Sequence, residues 1–224
     1  MLRRYLGPGM MNLMTSAAPW WLQPILWFFG LSGTESKAYE YLSTAYEKGT
    51  LVRVEAGTYL AQLYERRKEY GKSYETYSAI LRQYPMRVAL RAESLTPLWT
   101  EKRYGEIIEA TKVTIEMFQS GQFALTKGDS AWMSSIVPSC AAAYSSKGDT
   151  SSAIEILEDF IAGREYRNIG KRRAHGNLCD LYLNRGDTTR AVWNLKEILK
   201  GELSEKDRER ISGRVKELEN LQTR

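Results

Sequence analysis

The chain has 224 residues, 43% of them hydrophobic and 26% charged, which is enough apolar material to bury a sizeable core in a folded water-soluble domain or short array. Two cysteines, Cys140 and Cys179, and one histidine, His175, exclude a disulfide framework and argue against most transition-metal and Ser/His/Asp chemistry. The net charge of +5 sits in the C-terminal quarter: residues 164–224 hold 15 Lys/Arg against 10 Asp/Glu, and the first 163 residues balance.

The chain opens with Arg3 and Arg4, and the Gly7-Pro8-Gly9 break interrupts the apolar run that a cleaved signal would need. Residues 1–18 are expected to form an N-terminal helix or lead-in, or the end of a longer array. The segment AAPWWLQPILWFFGL, residues 17–31, is shorter than the roughly 20 residues of a membrane-spanning helix and carries Pro24. It is expected to be a buried helix, with an interfacial membrane anchor as the alternative.

From there a plan repeats five times. A small or apolar pair is followed by an aromatic or bulky residue, a turn, a small residue, and a second bulky residue. In the second segment these are Leu60-Ala61, Tyr64, Ser73 and Tyr77. In the fourth they are Cys140-Ala141, Tyr144, the turn Lys147-Gly148-Asp149, Ala153 and Leu157. In the fifth they are Leu178-Cys179, Tyr182, the turn Arg185-Gly186-Asp187, Ala191 and Leu195. The first is looser, with Ile25-Leu26, Phe29, Ala38 and Leu42. The third is weakest, with Ser94-Leu95, Leu98, Tyr104 and Ile107. The small-residue positions 38, 73, 107, 153 and 191 recur at the length of two short antiparallel helices, about 34 residues, with one longer interval around residues 121–129. Pro97 and Pro138 fall inside predicted first helices and are expected to kink them or shift their ends. The tyrosines of residues 59–85 then read mainly as core: Tyr64, Tyr70 and Tyr77 sit where rings separate packed helices, and only Tyr59 has a place on the inner face. A last segment, residues 201–224, places Ile211, Val215, Leu218 and Leu221 at helical spacing behind Ser204, as a capping helix.

The stretches YLAQLYERRKEYGKSYETYSAILRQYP, CAAAYSSKGDTSSAIEILEDF and LCDLYLNRGDTTRAVWNLKEIL resemble the tetratricopeptide repeat. The likeness covers most of residues 19–200. It implies an all-α, right-handed solenoid of about five stacked antiparallel hairpins with a C-terminal cap. A fainter likeness, over residues 7–42, is to the linker before the repeats in a eukaryotic family of tetratricopeptide proteins, some associated with the mitochondrial outer membrane. There a Gly-rich helix, a Leu/Pro stretch and an acidic turn precede the array. Here Thr34 stands in place of the acidic residue, and no active site transfers.

Stacked hairpins form a concave groove that takes a peptide or a partner's helix, so the predicted function is a non-catalytic protein-interaction scaffold. The inward-facing candidates are Glu55, Thr58, Gln62, Glu65, Arg66, Thr96, Trp99, Ser135, Ala142, Ser145, Arg173, Asn177, Asp180 and Asn184. Thr58 and Gln62 do not match the Lys/Asn clamp by which some tetratricopeptide proteins hold a carboxyl terminus. A basic run, residues 164–173, offers Arg164, Arg167, Lys171, Arg172 and Arg173 to phosphates. Its single neighbouring ring, Tyr166, gives little support to base stacking, and nucleic acid is disfavoured as a partner. A membrane surface meeting residues 17–31 is the alternative partner. No cofactor is expected, since the chain lacks a P-loop, a dinucleotide fingerprint, metal spacing and a nucleophile elbow.

Overall fold

The computed structural model describes residues 3–28, 33–120, 126–163 and 168–222, and all thirteen regular elements among them are α-helices. They form two compact units, Met1–Lys102 and Arg103–Arg224.

The first unit holds α1 (Arg3–Ser16), α2 (Gln23–Phe28), α3 (Glu35–Lys48), α4 (Arg53–Arg66), α5 (Tyr70–Gln83), α6 (Val88–Glu93) and α7 (Leu95–Thr100). Successive helices pack on one another, α1 on α3, α3 on α4, α4 on α5, and α5 on α6 and α7. The second unit holds α8 (Tyr104–Gln119), α9 (Lys127–Ser146), α10 (Thr150–Ala162), α11 (Asn168–Asn184), α12 (Thr188–Leu199) and α13 (Glu205–Gln222). Here too each helix packs on the next, and α9 also touches α11 directly. This is the fold class read from the sequence, helix hairpins stacked in chain order.

The repeat has a physical basis in both units. Ala38, Ser73, Ile107, Ala153 and Ala191, at the five predicted close-approach positions, are all fully buried. The bulky partners Leu42, Tyr77 and Leu157 are buried beside them.

The backbone repeats as well. Lys68, Lys102, Gly148 and Gly186, each four residues after the aromatic or bulky position, take positive φ of 61°, 57°, 81° and 76°. In three of these turns the next amide closes back on the ring-bearing residue: Glu69 N to Tyr64 O (2.8 Å), Asp149 N to Tyr144 O (3.0 Å) and Asp187 N to Tyr182 O (2.9 Å). That is a left-handed helix stop, which glycine adopts freely and lysine only at a cost. The aspartate after each glycine starts the next helix. Asp149 Oδ1 accepts from Ser152 N at 3.1 Å, and Asp187 Oδ1 accepts from Arg190 N at 3.0 Å.

The two prolines behave differently. The helical path breaks at Ser94, so Pro97 falls in the first turn of α7, where its missing N–H has no helical partner to lose. Pro138 lies inside the 20-residue α9 and does not end it. The long interval comes partly from the lengths of α8 and α9. Thr126 opens α9 with a capping box, its hydroxyl accepting from Asp129 N at 3.2 Å while its own amide donates to Asp129 Oδ2 at 3.1 Å. Residues 121–125 lie outside the described residues.

The first hairpin differs from its predicted register. α3 packs against α1, not against Ile25 and Leu26. Gly9 lets α1 approach closely: a Cβ there would stand 3.0 Å from Leu42 Cδ2, and Leu13 is buried in the same cluster. Ile25 is half exposed, and α2 buries none of its six residues. The expectation of a buried helix across 17–31 is therefore corrected over its described part, because α1 already fills the space beside α3. Phe29, the ring predicted for this repeat, lies outside the described residues.

Candidate partner-binding surfaces

In the first unit, four of the predicted inner-face residues have local duties. Thr58 Oγ1 donates to Val54 O of its own helix at 2.8 Å. Arg66 Nη1 donates to Leu13 O at 3.1 Å, satisfying a carbonyl near the C-terminal end of α1, so its guanidinium is already engaged. Gln62 and Tyr77 both donate to Glu93, the tyrosine hydroxyl at 3.4 Å, and Ser73 Oγ donates to Glu65 at 3.0 Å. Glu55 is exposed, as is Thr96, and Trp99 is half-buried.

Burial raises the carboxyl groups of both Glu65 and Glu93 above the ordinary glutamate value. For Glu65 the negative charge of Glu93 adds to this while the bond from Ser73 pulls the other way, and for Glu93 the bonds from Tyr77 and Gln62 do the same. The folded state therefore binds these protons more tightly than the unfolded chain. The stability they contribute is complete below the ordinary glutamate range and is lost as pH rises through their raised values. Glu93→Gln is expected to shrink that loss, seen as a smaller fall in unfolding midpoint between about pH 4 and pH 7 than the native chain shows.

In the second unit, α11 and α13 face each other across a cleft of about 630 Å³. From α11 it receives Arg173, Asn177 and Asp180. From α13 it receives Arg210, Ile211 and Arg214, with Leu195 of α12 also in its wall. A second cavity of about 390 Å³ shares Arg173 and Arg210 and adds Arg172, Ser134 of α9, Leu203 and Asp207. Arg173 and Arg210 thus stand in the walls of both cavities. Arg210 bridges to Asp207 at 3.2 Å, and Arg214 lies 3.7 Å from Glu217. Three of the groove residues read from the sequence come together here. Asn184 does not line the cleft and is exposed at the end of α11.

The α13 contribution was not foreseen. Val215 and Leu218 bury one side of α13, and Lys196 of α12 pairs with Glu219 at 2.7 Å. A visible signal for the rest was the i, i+4 pair Arg210 and Arg214. The basic run is divided among surfaces. Arg173 lines the cleft, Arg172 joins it in the second cavity, and Lys171 and Arg172 border a third cavity, about 670 Å³, with Glu197, Glu202 and Lys200. Arg172 Nη1 also donates to Glu202 O at 3.2 Å. Arg164 and Arg167 lie outside the described residues.

His175 is buried, with Nδ1 2.8 Å from Asn194 Oδ1, while Asn194 Nδ2 donates to Arg190 O at 2.9 Å. Because the amide nitrogen is the donor to Arg190, its oxygen accepts from the ring, which puts the imidazole proton on Nδ1. Cys140 and Cys179 are buried. Burial pushes the Cys140 thiol up to about 11 and raises Cys179 as well, so neither is held as thiolate at neutral pH. Among the described residues, no group of three or more His, Cys, Asp or Glu is placed to hold a metal ion.

No protein-family model matches the chain, and no curated protein matches it. Solved structures do. A putative kinesin light chain of Podosopora anserina with nearly identical TPR-like repeats is similar at 17% identity and a TM-score of 0.54, over 85% of this chain and 94% of that one. A MamA RS-1 ArsTM double mutant is similar at 11% identity and a TM-score of 0.54, over 75% of this chain and 85% of that one. At these identities the likeness speaks for the fold, and the fold is that of the tetratricopeptide repeat.

Proposed function

We propose that this chain is a non-catalytic scaffold that binds a peptide or a partner's helix along the α11–α13 cleft. The observation that carries this is the convergence of Arg173, Asn177 and Asp180 of α11 with Arg210, Ile211 and Arg214 of α13 around one open cavity. Its walls combine the apolar Leu195 and Ile211 with three arginines, the Asn177 amide and the carboxylates of Asp180 and Glu217. Such a cleft offers hydrophobic burial for affinity and directional donors for register. The first-unit candidates Glu55, Thr58, Gln62, Arg66 and Trp99 are secondary in this reading, since Thr58, Gln62 and Arg66 already serve their own unit.

The test is capture of a partner by the native chain compared with Arg173→Ala/Asn177→Ala/Arg210→Ala. These side chains are exposed or half-buried, so the variant is expected to keep its helical signal and melting temperature. A partner protein retained by the native chain and weakened at least about tenfold by the variant supports the cleft. Equal retention by both sinks it. Retention of nucleic acid with a steep loss between low and moderate salt would replace it with the phosphate-binding reading of residues 164–173.

A further inference from the structure

A large exposed apolar surface among the described residues lies far from that cleft in sequence, on the turn after α1 and on α2. Trp20 is 85% exposed and Phe28 is 80% exposed, and Trp21, Ile25 and Trp27 are at least half exposed beside them. Met14, near the end of α1, is exposed as well. From Tyr5 to Thr34 the sequence has no Asp, Glu, Lys, Arg or His.

This surface is built rather than frayed. Gln23 Nε2 donates to Thr15 O at 3.0 Å and to Ala18 O at 3.1 Å, drawing the start of α2 back onto the end of α1. Leu22 N donates to Pro19 O at 2.9 Å, and Leu26 N donates to Leu22 O at 3.0 Å. On the far side, Thr34 N donates to Asn12 Oδ1 at 3.1 Å, closing the excursion at its base. The backbone is therefore held while the rings project.

We infer that residues 17–28 dock on a lipid bilayer surface. Three features select that occupant. A partner groove covers one stripe of a helix, but α2 buries no residue at all and its large side chains are exposed at adjacent positions 24, 25, 27 and 28. A surrounding apolar medium meets such a pattern better than a groove does. Thirty residues without a carboxylate or cationic side chain leave nothing for a protein partner's charges to pair with, whereas immersion at the acyl boundary penalises any charge that were there. Three indoles, each with an apolar body and one N–H donor, suit the headgroup level, where one end is dry and the other wet. No helix among the described residues is long and apolar enough to cross a membrane, so the contact lies in the interface.

Flotation of the full chain with vesicles of phosphatidylcholine and phosphatidylserine in a 3:1 ratio, roughly the anionic content that attracts basic segments, tests this. The native chain is compared with Trp20→Ser/Trp27→Ser/Phe28→Ser, in which only exposed rings change and the α11–α13 cleft is untouched. The native chain is expected to float, and the variant, with unchanged helical signal and melting temperature, to lose at least about tenfold in partitioning. Failure of the native chain to float, or equal flotation of the folded variant, overturns the inference. So does a vesicle-free dimer of the native chain that the variant abolishes, because a second copy is then the occupant.

Discussion

Replacing Gly170 by valine is expected to unfold the start of α11 from α9 and to be among the most damaging single changes in this chain's second unit. Gly170 is buried, and a Cβ built on it collides with the Cβ of Ser134 and stands 3.2 Å from the Ser134 backbone, with Phe160 Cζ at 3.1 Å. A ring tip can move by a few tenths of an ångström. The α9 backbone cannot, because it is held in the helix that Thr126 caps. Overpacking of this kind costs about 1–3 kcal/mol, and the β-branch adds to it. Gly213→Ala, inside α13, is the contrast: nothing lies within 4 Å of its added Cβ, so relief of glycine's backbone entropy is expected to stabilise by about 0.5–1 kcal/mol. Urea unfolding of the two variants checks both signs. Equal stability of Gly170→Val and the native chain would mean that α11 does not approach α9 as closely as described.

The repeat was legible wherever small residues and turns were spelled in the usual alphabet. Gly148-Asp149 and Gly186-Asp187 announce a left-handed stop followed by a helix cap, and Ala153 and Ala191 follow at the spacing of close contact. Lys68 and Lys102 adopt the same backbone conformation without the glycine that would have advertised it, so only the surrounding register reveals those turns. The first hairpin failed for a different reason. Apolar residues at helical spacing in 25–29 look the same whether they face a core or an apolar medium. Meanwhile Gly7-Pro8-Gly9 reads as a break, although Gly9 is the close-approach position of a helix and Asn12 Nδ2 reaches Pro8 O at 2.8 Å within α1. Side-chain partnering was the least visible. Arg66 falls on the face the register assigns inward, but the carbonyl that takes it belongs to Leu13, 53 residues away in sequence. The cleft was half legible, since periodicity placed Arg173, Asn177 and Asp180 on one face of α11 but could not tell that α13 would stand opposite.

Tyr77→Ala is expected to cost about 3–5 kcal/mol, against about 1 kcal/mol or less for Tyr77→Phe. The ring is almost wholly buried between Ala61, Ile80 and Leu90, so its removal opens a cavity bounded by α4, α5 and α6 that three rigid helices cannot close. The hydroxyl contributes far less. Its bond to Glu93 is long at 3.4 Å, and Glu93 keeps Gln62 as a donor when the hydroxyl is gone. Removing that hydroxyl does take one stabilising donor from a carboxylate already burdened by burial. The small penalty of Tyr77→Phe should therefore be larger at neutral pH than near pH 4, roughly where glutamate takes up its proton. A phenylalanine variant as unstable as the alanine variant would mean that the polar cluster of Gln62, Tyr77 and Glu93, and not ring burial, holds this part of the unit together. The clustered tyrosines would then owe their places to hydrogen bonding. The core position of Tyr77, packed in one cluster with Ala61, Ile80 and Leu90, requires the other outcome.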